Sequence, residues 1–388
     1  MHIQLDDAHR DHERMSRRQL LHASGAFAAA AGLAAFGLDG GGTLPVAAAG
    51  RASSPPPSAG DRLLQATASA WDPTVPPSPW GPGDEAGSSN TQTADKVLQA
   101  VKLIKLGTKY PLGHAYAASM PLFPGNTWQL ELKPPASIGR QTGNFDYFHG
   151  EIGQSGTQFD ALGHFGLQPD GDPLPANAIY YNRFTGADVY HPAGLRHLGI
   201  EKMKPFFTRG ILLDVKRHAK GGRTLDPGEE ITLGMVRRTL AAQGLAEGDI
   251  TRGDVVLFVT GWEENWDKGT LAYYAGAPGI PGATPVIGLE VALWLAAKRV
   301  ACVGADNWGV EVVPYPNHPD RPQAPAGIPF PVHHELIAKN GIPHQESMRL
   351  AELAGDLAAA RSYLFAYVFA PVPIRGATGS PGIPLAVR

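Results

Sequence analysis

The feature that most restricts how this chain can fold is a repeated alternation of short apolar runs and helical stretches. Residues 211–215, 254–259, 301–305 and 363–371 each read as a short buried strand. Between them, Thr232 is placed to cap a helix whose inner face carries Leu233, Val236 and Leu240 and which stops at Gly244. Residues 288–298 read as a helix that feeds the 301–305 strand. Upstream, a helix follows Thr93, with Val97, Ala100, Val101 and Ile104 on one face and Gly107 at its end. Strands alternating with helices predict an α/β fold. The early and late segments are more hairpin-like, so the sheet is expected to be mixed. Two long connections, residues 168–182 and 265–285, are expected to wall a substrate pocket, because long loops in a compact domain usually serve function.

Composition narrows the function classes. Of 388 residues, 33 are Lys or Arg and 36 are Asp or Glu, a formal net charge of −3. That balance, with no basic stripe, argues against nucleic acid as a partner. The single cysteine, Cys302, cannot form an internal disulfide and excludes a cysteine-rich zinc site. It lies in an apolar run and is expected to be an inert core residue. The first fifty residues read as an address. Ser16-Arg17-Arg18 and Leu20-Leu21 precede a weakly apolar Ala/Gly/Leu stretch, and Pro45 to Gly50 offers a small-residue cleavage site. That order resembles a twin-arginine signal, which implies a periplasmic or extracellular protein without a stable membrane anchor. Residues 51–79, rich in Ser, Pro and Ala, are expected to be a flexible linker, leaving 80–388 as the globular domain.

Three polar clusters stand out in that domain. The first runs from Gln154 through Gln158 and Asp160 to His164. Asp160 is a hard oxygen donor, the two glutamines offer amide oxygens, and His164 is a metal ligand or a general base near neutral pH. The same residues also fit a helix cap at Asp160. The second cluster is His333-His334-Glu335, then Gly341, then Glu346. It fits a surface helix equally well, unless the chain reverses at Gly341. The third, Asp306-Asn307-Trp308, follows a predicted buried strand, where α/β folds place active sites. A plain turn would use Asp306 and Asn307 as well.

The order of these clusters is more telling than any one of them. Gly156-Thr157-Gln158-Phe159-Asp160-Ala161-Leu162-Gly163-His164 resembles the signature of the cyclase family, whose best-known activity is kynurenine formamidase. Trp80 to Asn90, Met120 to Gly125, Gly253 to Trp262, the His334/Glu346 pair and Gly376 to Pro381 resemble its other segments in sequence order. The resemblance implies a swivelling β/α/β domain with a mixed sheet, oligomeric as a homodimer or homotetramer, with the metal site near a subunit interface. It implies Asp160, His334 and Glu346 as metal-site residues and His164 as the catalytic histidine; Glu346 or Asp160 would hold the cation and orient His164. Two signature histidines are glutamines here, Gln154 and Gln158. An oxygen-rich set with those amides among the ligands would favour manganese over zinc as the divalent metal.

The function that follows is metal-assisted hydrolysis of an amide, lactam or formamide C–N bond in a small molecule. Trp262, Trp308 and Asn307 are expected to contact that substrate, although core packing explains the two tryptophans equally well. The alternatives are a catalytically silent small-molecule-binding protein on the same fold, or a lyase or cyclase of secondary metabolism that uses His164 as a base.

Overall fold

The computed structural model describes residues 71–274, 282–316, 318 and 321–388. The expected signal and residues 51–70 of the expected linker lie outside the described residues. The last part of that linker, from Trp71 onward, is packed: Trp71 and Val75 are buried among Pro and Ser residues. Two apolar anchors are enough to dock a segment whose overall composition reads as linker.

The core is one nine-stranded sheet. Its strands are β1 (Lys109–Pro111), β2 (Gln158–Asp160), β3 (Phe206–Asp214), β4 (Val255–Val259), β5 (Cys302–Ala305), β6 (His344–Glu346), β7 (Leu364–Phe369), β8 (Gly379–Pro381) and β9 (Leu385–Val387). They lie in the order β1-β9-β7-β3-β4-β5-β6-β2-β8. The pairs β3–β4, β4–β5 and β5–β6 are parallel, and every other pair is antiparallel. The sheet is therefore mixed and the fold α/β, with a parallel centre and antiparallel flanks.

Covered strands explain the unbroken apolar runs. Val255 to Val259 are all buried, as expected of a parallel strand packed on both faces. Leu212, Leu257 and Cys302 face one core, which Leu353 and Leu357 of helix α4 (Ala351–Ala360) complete. Ile211, Leu213, Val256, Phe258 and Val303 face the other, under helices α2 (Leu233–Ala242) and α3 (Leu289–Lys298). Thr232 caps α2 by accepting from the Met235 N–H. Cys302 is a free, buried thiol whose burial pushes its pKa up.

Helix α1 (Ala94–Val101) is shorter than its periodicity predicts. Past Val101 the hydrogen bonds tighten to Leu103 N–H on Ala100 O and Ile104 N–H on Val101 O, so the turn closes before Gly107. Two small ribbons, Trp128–Leu132 with Asp146–Gly150 and Ala136–Ile138 with Gln141–Gly143, stand outside the main sheet. Among the described residues no helix is long and apolar enough to cross a membrane.

Candidate metal centre

The polar centre grows from two three-residue strands. Strands β2 and β6 pair antiparallel with Glu346 opposite Gln158 and Gln345 opposite Phe159. Side chains alternate along a strand, so Gln158 and Asp160 share one face while Phe159 turns into the core. By the same rule His344 and Glu346 share a face. The segment that also fitted a helix cap is thus a strand paired on both sides, and Asp160 caps no helix.

The fourth side of the centre comes from a helical turn, Pro331–His333. The Glu311 carboxylate, fully buried, accepts from the Val332 N–H at 2.6 Å and the His333 N–H at 3.0 Å, which terminates the turn's free donors. The same carboxylate lies 2.6 Å from His333 Nδ1. That contact fixes the ring and leaves Nε2 3.5 Å from Glu346 Oε1. His344 Nδ1 lies 3.8 Å from the same oxygen. Asp160, His333, His344 and Glu346 each bring one potential ligand atom, all within 4.8 Å of one another and all buried.

Four polar atoms here are buried without a hydrogen-bond partner: Asp160 Oδ2, Glu346 Oε1 and both ring nitrogens of His344. Burying one such atom costs roughly 1–3 kcal/mol, so a convergent group of them marks a place built for something else to satisfy. Two carboxylates and two imidazoles, one of them held by an outer carboxylate, are a chemically apt set for a divalent cation. The charges agree. Burial, and then the Asp160 charge, push Glu346 up to about 8. Burial opposes a charge on His333, but the Glu311 and Glu346 carboxylates outweigh it and raise that ring to about 10. Burial, then His333 and His164, hold His344 well below its ordinary value, as a neutral ring with a free lone pair.

The expected ligands sort into two groups. Asp160 and Glu346 are in the centre. Gln154 and Gln158 are beside it, but they present amide nitrogens rather than oxygens. Gln158 Nε2 donates to Glu346 Oε2 and to Gln154 Oε1, both at 2.9 Å, and Gln154 Nε2 donates to Asp160 Oδ1 at 3.1 Å. The pair occupies the outer carboxylate oxygens and leaves the inner ones to face the imidazoles. His334 points away: its Nε2 donates to the Pro73 carbonyl at 2.5 Å and its ring meets Trp71 edge-on. Its neighbour His333 takes the place expected of it. The expectation rests on order along the chain, which does not say which of two adjacent residues faces the site; His333 ends the turn Pro331–His333 and His334 begins a π-helical stretch, His334–Lys339.

His164 stands at the edge of the cluster. It is partly buried, its ring 6.3 Å from that of His333 and 4.8 Å from that of Phe165. Burial, then the His333 charge, lower its pKa against an opposing pull from Asp160, so it is neutral at pH 7.

The expected substrate contacts are less simple. Trp262 is buried and donates to the Tyr273 carbonyl at 3.0 Å, within a cluster with Met120, Trp266 and Tyr274. It is a packing residue. Asn307 spends both ends of its amide on Pro285 O and Val310 N–H, and is fully buried. It shapes the turn. Trp308 is partly exposed, lies 5.6 Å from the Phe123 ring and 5.8 Å from that of Tyr274, and leaves its indole N–H unpartnered. Burial, and then the Glu346 charge, push the Tyr274 phenol up, which puts Tyr274 near the centre. Sequence reasoning passed over His344, Tyr274 and Phe123. The i, i+2 pair of His344 and Glu346 was the one available signal, a strand period only three residues long. Two surface recesses, of about 260 and 400 Å³, are lined by other residues and leave the centre aside.

Residues 110–312 match the model of the Cyclase family. That span contains Asp160, His164 and Glu311 but not His333, His344 or Glu346. A crystal structure described as a novel cyclase is 28% identical, with a TM-score of 0.67, and the match covers 80% of this chain and 98% of that one. Isatin hydrolase A from Ralstonia solanacearum is 18% identical over 72% of this chain and 92% of its own, with a TM-score of 0.49. An isatin hydrolase bound to the product analogue thioisatinate is 17% identical over 76% of this chain and 98% of its own, again at 0.49. No curated protein sequence matches the chain.

Proposed function

This chain belongs to the Cyclase family, and on that premise we propose that it hydrolyses an amide, lactam or formamide C–N bond of a small molecule, using a divalent cation held by Asp160, His333, His344 and Glu346. The observation that carries this reading is that four buried residues bring ligand atoms within 4.8 Å of one another, and that three of them, Asp160, His344 and Glu346, hold side-chain atoms there with no hydrogen-bond partner. A cation bound there would lower the pKa of water and polarise a substrate carbonyl. The remaining work falls to the chain itself. Neutral His164, at the edge of the cluster, takes a proton from water as the new C–O bond forms, and returns it to the nitrogen as the C–N bond breaks. Trp308, Tyr274 and Phe123 offer an aromatic wall for a ring substrate. Glu311 holds His333 in one tautomer. Gln154 and Gln158 fix the carboxylates.

Manganese is the ion we propose over zinc, since carboxylate donors suit it; the two imidazoles added by His333 and His344 also suit zinc, so metal content decides. The reading includes export by the twin-arginine route and a homo-oligomer. The exposed apolar face of the ribbon, Leu130, Leu132 and Phe148, supports the second, because such a face is seldom left in water.

The test is metal analysis by plasma mass spectrometry on protein purified without chelator, beside Asp160→Ala. Near-stoichiometric manganese or zinc that disappears in the variant supports the reading. A screen of amides, lactams and formamides then looks for products one water heavier. Absence of metal after manganese addition sinks the mechanism, and tight substrate binding without turnover points to the silent binding protein.

A further inference from the structure

We infer that Trp71 to Ser78 form a strap that positions the cation ligand His333, so that strap docking and cation binding favour each other. The inference rests on the metal reading above. Consecutive residues on a helical turn point roughly 100° apart. His333 is clamped on the site side, by Glu311, while His334, turned away from it, is clamped by the strap. The strap's grip is dense. Trp71 Nε1 donates to Glu335 Oε2 at 2.7 Å, Lys339 Nζ donates to Asp72 O at 2.6 Å, and His334 Nε2 donates to Pro73 O at 2.5 Å. Glu335 and Lys339 also pair with each other at 2.7 Å. Three consecutive strap residues thus hold three residues of one helix.

All three lie in the π-helical stretch His334–Lys339. That geometry is rare because it is less favourable than the α-helix, and it persists only where surroundings impose it. Relaxation to α spacing removes one residue from the turn and rotates the chain ahead of it, carrying His333 away from Glu346. The strap supplies ties that hold the uncommon register. Farther along, Ser78 N–H donates to Asn182 Oδ1 at 2.8 Å and Arg183 Nε donates to Val75 O at 3.1 Å, so the strap is anchored beyond the helix as well. If the strap stabilises the ligand geometry, the bound cation must stabilise the strap by the same free energy.

The experiment uses the full chain and Mn²⁺ alone. Trp71→Ala and His334→Ala should each weaken Mn²⁺ binding by about tenfold, the lower end of what outer partners of a metal ligand contribute. His334→Gln, which keeps an N–H for the Pro73 carbonyl, should restore most of it. Hydrogen exchange across residues 71–79 of the parent should slow on Mn²⁺ addition. Unchanged Mn²⁺ affinity in both alanine variants, with exchange indifferent to Mn²⁺, overturns the strap while leaving the metal reading intact. So does His334→Gln behaving like His334→Ala, which would make His334 a ligand. A parent that binds no Mn²⁺ overturns the metal reading itself. Should Trp71→Ala not fold, Trp71→Phe, which loses only the indole donor, and exchange in the parent decide the matter.

Discussion

Asp254 and Asp306 sit as deep in this protein as Asp160 and Glu346, yet their surroundings differ in kind. Asp254 receives Lys96 at 2.7 Å, Arg209 at 2.6 Å and the Thr251 N–H at 2.7 Å. Asp306 receives the Thr260 hydroxyl at 2.5 Å and the Gly261 N–H at 2.7 Å, with the Thr260 N–H shared between its oxygens. Every oxygen of these two has a donor. In the centre, Asp160 and Glu346 each have one oxygen satisfied by a glutamine and one left bare. Burial alone does not separate a structural carboxylate from a functional one. The count of unsatisfied oxygens does.

The contrast breaks if removing either kind of carboxylate has the same consequence. Asp160→Ala should abolish metal binding and lower turnover on the order of 10³-fold while the fold persists, seen by metal analysis and circular dichroism. Asp254→Ala should do the reverse. It leaves Lys96 and Arg209 without their shared partner and costs about 3–5 kcal/mol in denaturant unfolding, with metal retained by the folded fraction.

Smaller effects sharpen the picture. His164→Ala should slow turnover about 10²–10⁴-fold with metal content unchanged. Because the His164 pKa is lowered, the parent's ring stays neutral as pH falls through its ordinary value of 6.5. The acid limb of kcat/KM should therefore lie below pH 6.5, and a nearby cation moves it the same way. Glu311→Gln should weaken metal affinity about 10–100-fold by releasing the His333 ring, measured by titration.

Asp306 carries a prediction in pH. Burial, then the Glu263 charge, push it up to about 7 from 3.8. An acid whose folded pKa is raised is favoured in its protonated form. Its stabilising contribution is thus complete below about pH 3.8 and declines as pH rises towards 7. The Tm should fall across that window, and Asp306→Asn should flatten the slope.

Much of the frame could be read from residue patterns, and the reasons are physical. Strand β4 and helix α2 announce themselves because packing on both faces demands a continuous apolar run, and a threonine is needed where the helix begins. Order along the chain singled out Asp160 and Glu346, which the fold brings together, and His164, which lies beside them. The remainder was hidden by shortness or by irregularity. His344 and Glu346 alternate over too few residues for a period to register. His333 and His334 could not be told apart because order along the chain does not say which of two adjacent residues turns towards the site. Gln154 and Gln158 look like ligands in a string of letters, since either end of an amide is available, and only three-dimensional neighbours choose which end is used.

The distance along the chain between Asp160 and the His344/Glu346 pair has a kinetic consequence. Strands β2 and β6 are three residues each, and their register depends on the intervening β3, β4 and β5 being already in place. Contacts of such large sequence separation repay their closure entropy late. The cation site is accordingly a product of folding and cannot seed it. A stabilising interaction absent from the transition state acts on escape from the native state alone. Added manganese should therefore lengthen the lifetime of the folded protein while leaving its rate of refolding unchanged.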